Sequence, residues 1–179
     1  MLISKGAKID AKNLSEFTPL HFAAMFGQSM ILEMLLKNGA NAEAQNNRGT
    51  TPLHFALFVN YECLKKSVEM LIEKGAKINA RDLDGLTPLH WAALHGLDLT
   101  LATLLKNGAN IEAETNFSVR PIHIAVELRH YETVEILIKY GANLDLKDKG
   151  QVPIHFALCH GKLSMVKYAF SETWSLFED

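Results

Sequence analysis

Four times along the chain, a short apolar stretch rich in small residues is followed by a polar break, a second apolar stretch and a Gly-Ala pair; a fifth round lacks the closing pair. The second stretch carries its large apolar residues three and four positions apart. The sets are Leu32, Leu35 and Leu36; Val68, Leu71 and Ile72; Leu101, Leu104 and Leu105; Val134, Leu137 and Ile138; and Val166, Ala169 and Phe170. That spacing places each set on one face of a helix. The first stretch opens on Pro and runs through residues such as Phe22-Ala23-Ala24, which predicts a helix whose small side chains let a neighbour approach. Polar runs such as Asn46-Asn47-Arg48-Gly49 and Asp82-Leu83-Asp84-Gly85 have the composition of tight turns.

Two independent markers hold the pattern in register. Thr18-Pro19-Leu20-His21, Thr51-Pro52-Leu53-His54, Thr87-Pro88-Leu89-His90, Arg120-Pro121-Ile122-His123 and Val152-Pro153-Ile154-His155 start 33, 36, 33 and 32 residues apart. Gly6-Ala7, Gly39-Ala40, Gly75-Ala76, Gly108-Ala109 and Gly141-Ala142 follow at 33, 36, 33 and 33. A fixed period of this length marks a repeat architecture. In each unit the Thr is placed to cap a helix whose first position is Pro, where a missing N–H does no harm. The Gly suits the left-handed residue that ends the second helix.

A unit of about 33 residues cannot bury its apolar face alone, so neighbours must stack. The segments TPLHFAA, TPLHFAL and TPLHWAA, with NGANAEA, KGAKINA and NGANIEA, resemble the ankyrin repeat over essentially the whole chain. The resemblance implies an all-α repeat solenoid, a stack of helix-turn-helix units with protruding β-hairpin loops. It also implies that the His of each marker segment ties adjacent turns together through hydrogen bonds. On this reading residues 1–179 form a single domain: a partial unit at 1–12, full units at 13–45, 46–81, 82–114 and 115–147, and a C-terminal capping unit at 148–179. The partial unit holds only the end of an outer helix and its Gly6-Ala7 turn, so the array is expected to continue upstream.

Departures from the repeat carry the individuality of the chain. The third unit has three extra residues within Asn60–Lys66, read as a longer helix–helix connection, or alternatively as a bump that meets a partner. Arg120 and Val152 replace the capping Thr, each at a local loss of about 1 kcal/mol. Trp174, Leu176 and Phe177 give the tail an apolar character, either as a folded-back cap or as a docking element. Fraying under hydrogen exchange is expected to begin in this last unit.

Composition narrows the function. Apolar residues make up 48% and charged ones 21%, with a formal charge of -2 and no block of like charges, so the basic footprint of a nucleic-acid surface is missing. No apolar run approaches the roughly 18 residues of a membrane span. Two cysteines, Cys63 and Cys159, indicate no disulfide framework, and a cytoplasmic location, or a nuclear one, is expected. Five of the eight histidines, His21, His54, His90, His123 and His155, occupy one repeat position, which offers no local ligand cluster for a metal. His95, His130 and His160 lie outside that series without metal-binding spacing, and no phosphate loop or nucleophile motif is present. The sequence predicts neither an enzyme nor a cofactor.

In the family that these repeats resemble, partners most often meet the concave side, made of hairpin tips and the exposed face of the first helix. Transferred unit by unit, those positions are Leu14, Phe17, Met25 and Phe26; Arg48, Phe58 and Val59; Leu83, Leu86, Leu94 and His95; and Phe117 and Leu128. Ser15, Asn47, Thr50, Asp84, Asn116, Val119, Glu127, Gln151, Cys159 and His160 flank them. Phe17, Met25, Phe26, Phe58, Val59, Leu86 and Leu94 form an apolar run of the kind found at interface cores; the alternative is that some turn inward onto their own hairpin. The expected function is a protein-interaction module or adaptor, with another protein as partner and the chain itself a monomer or self-associating. The alternative is a regulatory or targeting segment of a larger enzyme or channel.

Overall fold

The computed structural model describes residue 6 and residues 8–58 and 64–143. Its elements are eight helices: α1 Pro19–Met25, α2 Ser29–Lys37, α3 Pro52–Phe55, α4 Leu64–Glu73, α5 Pro88–Leu94, α6 Asp98–Lys106, α7 Pro121–Glu127 and α8 Tyr131–Lys139. Each odd-numbered helix packs on the even-numbered helix of its own unit and on its odd-numbered neighbours, and the even-numbered helices pack on one another. The result is two layers, an inner one of α1, α3, α5 and α7 and an outer one of α2, α4, α6 and α8. No strand occurs among the described residues. The hairpin loops form no ladder there; each closes on a backbone bond of the type Asn46 N–H to Thr50 O at 3.2 Å and a tighter one of the type Gly49 N–H to Asn46 O at 3.0 Å.

The core lies between the layers and continues from unit to unit. Leu20, Leu53, Leu89 and Ile122 of the inner layer are buried, as are Leu32, Val68, Leu101 and Val134 of the outer one. Complete burial of each such side chain contributes about 1.5–3 kcal/mol. Ala23, Ala56, Ala92 and Ala125 sit where inner helices touch, and their small size permits that approach. The outer helices end as the sequence predicts: Gly39 has φ +86°, and the next amide, Ala40 N–H, reaches back to Leu35 O at 3.0 Å.

The first three inner helices start as expected, with Thr at the cap and Pro at the first position, and the His three residues on completes a capping box. The backbone N–H of Thr18, Thr51 and Thr87 donates to Nδ1 of His21, His54 and His90, and the Thr hydroxyl lies 2.8–2.9 Å from the same nitrogen. The Thr and the His therefore secure the turn together. Because Nδ1 accepts, the ring proton sits on Nε2, which donates across the unit boundary to Thr50 O, Leu86 O and Val119 O at 3.0–3.2 Å. This is the tie between turns that the family resemblance implies. Burial lowers the pKa of all three imidazoles, that of His54 to about 4.

Arg120 keeps the same backbone bond, N–H to His123 Nδ1 at 2.9 Å, so replacing Thr there does not forfeit the cap. Its guanidinium instead pairs with Glu112 and Glu114, both at 3.0 Å. A further cross-unit series escaped the sequence reading. Side-chain oxygens of Asp10, Glu43, Asn79 and Glu112 accept the backbone N–H of Asn41, Lys77, Asn110 and Asn143 at 2.7–3.1 Å. Leu64–Lys66 belong to α4, which shortens the connection assigned to the third unit's insertion. The rest of that insertion, Cys63, and the whole closing unit with Val152, His155, Cys159, His160 and the Trp174 tail lie outside the described residues.

Candidate functional site

Four successive loops present their tips on the side of the inner-helix ends, and each tip is stiffened by a side-chain acceptor at its first residue. Oδ1 of Asn13 accepts the N–H of Ser15 and Phe17; Asn46 does so for Arg48 and Thr50, and Asp82 for Asp84 and Leu86, all at 2.8–3.0 Å. Thr115 Oγ1 serves Phe117 and Val119 at 3.2 Å. Consecutive tips are stitched by Asn47 N–H to Ser15 O, Leu83 N–H to Arg48 O and Asn116 N–H to Asp84 O, at 3.0–3.2 Å. Gly85 is required at its turn: φ is +80°, and an added Cβ would stand 2.7 Å from the backbone N of Asn116 in the next loop.

Aromatic rings run from one end of this face toward the other. Phe26 stacks on Phe22 with an interplanar angle of 10°; Phe22 meets Phe17, Phe17 meets Phe55, Phe55 meets Trp91, Trp91 meets Phe58, and Phe58 meets His95. Centroid separations lie between 5.0 and 6.5 Å, the range of favourable ring pairs. The rings differ in depth along the ladder: Phe55 is buried and Phe17, Trp91 and His95 are half-buried, whereas Phe22, Phe26 and Phe58 are exposed, Phe26 by 61% and Phe58 by 52%.

The predicted positions separate by depth. Leu14, Phe26, Phe58, Leu83, Leu94, Phe117 and Leu128 are exposed, as is the cationic Arg48. Phe17 and Met25 are half-buried and pack against the core, and Leu86 and His95 are also half-buried. Thr50, among the flanking positions, is buried, its carbonyl engaged by His21. The inward reading thus applies to Phe17 and Met25. Val59, Gln151, Cys159 and His160 lie outside the described residues.

At the far end of the ladder, His95 Nε2 is buried with no hydrogen-bond partner among the described residues. Burial first, and then the neighbouring His130, lowers its pKa. His130 donates from Nε2 to Leu94 O at 3.2 Å and packs on Gly96, where an added Cβ would meet Nδ1 at 2.8 Å. This contact holds the end of α5 and so sets where Leu94 and His95 stand. Among the described residues no three His, Cys, Asp or Glu side chains gather as a metal would need.

Two exposed apolar residues were missed by the transfer of positions. Phe22 and Ile31, with Phe17, Pro19, Ala23 and Phe26, line an open apolar groove of about 680 Å³ beside α1. In later units the equivalents of Phe22 are Phe55 and Trp91, which the preceding unit's rings cover. Register alone would have identified Phe22, since it occupies the position after His in the marker segment. Met30, next to exposed Ile31, and Leu99 are exposed on the outer layer, as apolar side chains commonly are on folded proteins.

No helix among the described residues is long and apolar enough to cross a membrane. No curated protein matches the chain. The family model described as ankyrin repeats (3 copies) matches it at residues 1–82, 49–115, 65–148 and 89–173. Together with eight helices in two stacked layers and the His ties between units, these matches show that the chain belongs to the ankyrin repeat family.

Proposed function

We infer that this chain is a protein-interaction module that binds its partner through the face made by the loop tips and inner-helix ends. Ankyrin repeats are generally protein–protein interaction modules and are typically non-catalytic. The observation that carries the reading is the aromatic ladder from Phe26 to His95, anchored on buried Phe55, in which Phe22, Phe26 and Phe58 stand open, with Leu94 also exposed. Exposed aromatic clusters of this kind mark interaction sites, because aromatics bury much area with little loss of side-chain freedom. A reducing compartment, cytoplasmic or nuclear, suits a chain with so few cysteines.

The test is an affinity capture with the wild type and a Phe26→Ser/Phe58→Ser variant, each first checked for helicity and unfolding midpoint. Partners retained by the wild type and lost by an equally stable double variant support the reading. Equal retention by both would move the site elsewhere. The open groove at Phe22 and Ile31 favours a second reading, self-association through the α1 end. Light scattering at several concentrations, repeated with Phe22→Glu, tests it; a concentration-independent monomer mass rules it out.

A further inference from the structure

We propose that the partner element seated on this face is an amphipathic α-helix laid along the stack, with apolar residues about seven apart and a basic residue one step beyond them. The inference rests on the binding face assigned above and adds the chemistry of what fills it.

Hydrogen bonding separates a helix from an extended strand. A bound strand gains most of its affinity by pairing its backbone with an exposed edge, whereas a helix satisfies its own backbone and needs only side-chain pockets. In the third, fourth and fifth units every backbone N–H of the loop tips is already engaged. Asn47, Leu83 and Asn116 donate to the preceding tip, and Gly49, Gly85 and Ser118 close their own turns. The remaining amides, Arg48 and Thr50, Asp84 and Leu86, and Phe117 and Val119, go to Asn46, Asp82 and Thr115 side chains. An extended partner would bring unpaired backbone groups to a surface with no amide edge to receive them, at about 1–3 kcal/mol for each one buried.

Spacing and charge point the same way. Met25, Phe58, Leu94 and Glu127 occupy one position in successive units, and all but Met25 are exposed. Neighbouring packed helices lie roughly 8–10 Å apart, and a helix rises about 1.5 Å per residue. One step of the stack therefore spans about five to seven partner residues, a range whose upper end matches the seven-residue return to one helical face. Three apolar steps end at the carboxylate of Glu127, which has no ion pair among the described residues and calls for a cation on the partner. Arg48, exposed at a loop tip and likewise without an ion pair among the described residues, receives an acidic side chain from the partner's polar flank.

The probes are two displayed peptide libraries. One is a helical 24-residue scaffold varied at heptad-spaced positions; the other consists of 12-residue extended peptides interrupted by proline. Binding is read by Trp91 emission in a Trp174→Phe background, since Trp91 contacts Phe58 and His95 and these two are the chain's only tryptophans. The expected result is helical binders that perturb Trp91, lose about tenfold or more in affinity with Phe58→Asp, and exchange basic for acidic preference at one end with Glu127→Lys. Because Glu127 is exposed, that variant keeps the test intact if Phe58→Asp unfolds. Face-dependent binders from the extended library alone overturn the helix while leaving the binding face standing. An absence of binders sensitive to Phe58, Leu94 or Glu127 overturns both.

Discussion

Leu53 and Phe58 stand five positions apart in one unit, yet Leu53 is fully buried and Phe58 is half exposed. Leu53 belongs to the seam between units, where the residue type returns at every step: Leu20, Leu53, Leu89 and Ile122, beside His21, His54, His90 and His123. Phe58 belongs to the open face, where the equivalents are Met25, Leu94 and Glu127. In the seam each side chain meets its neighbours in the next copy of its own environment, so one solution propagates. On the face no such contact repeats, and the residue type is free to follow something outside the chain. Repetition within the chain therefore reports packing, and its failure on a shared position reports individuality.

The comparison breaks most readily through stability. Leu89→Ala, at a fully buried seam position, is expected to lower unfolding free energy by about 3–4 kcal/mol in urea titrations. Binding per folded molecule should be unchanged, and a binding defect at full occupancy of the native state would erase the distinction between seam and face.

Acid acts on the same seam. His54 has a folded pKa of about 4, below the ordinary value of 6.5, because burial disfavours the charged ring. The unfolded chain therefore takes up a proton first as pH falls. The stabilisation is complete above pH 6.5 and is lost progressively between 6.5 and about 4, to the extent of about 3 kcal/mol for this one group. His21 and His90, also lowered by burial, add in the same direction. Thermal midpoints recorded between pH 7.5 and 5 should fall, and His54→Gln should flatten the slope.

A smaller effect distinguishes loop tips that touch the next unit from turns that do not. Gly85→Ala combines φ +80° with a Cβ 2.7 Å from Asn116 N and is expected to cost about 2 kcal/mol. Gly39→Ala carries φ +86° but meets nothing within 4 Å, so about 1 kcal/mol is expected. Equal losses in chemical denaturation would show that the tip stitching contributes little. The smallest change in stability is expected on the open face, where Phe26→Ser and Phe58→Ser should each shift unfolding free energy by under about 1 kcal/mol. A larger loss at Phe58 would place it functionally in the core.

Much of the fold was legible before any coordinates. Pro at the start of each inner helix, Gly past each outer helix and the Leu/Val spacing all encode local geometry, which needs only near neighbours in sequence to be read. The Thr caps were legible, but the His half of each capping box was not, because only the three-dimensional turn brings Nδ1 onto the Thr backbone. The series of Asp10, Glu43, Asn79 and Glu112 stayed hidden because its members share an acceptor oxygen rather than a residue type.

The candidate face divides in the same manner. Its positions followed from register, since the repeat assigns each residue to a place in its unit. Which of them face outward did not, because depth depends on what the adjacent unit supplies. Phe17 turns in where Phe55 can receive it, and Phe22 remains exposed where the described residues offer α1 no equivalent ring. The sequence alone thus determined a stack of helical pairs in fixed register, because periodicity and turn chemistry are local properties. Tertiary structure alone decided that Phe26, Phe58 and Leu94 stay open at the margin of a packed aromatic ladder, because burial is set by contacts between units.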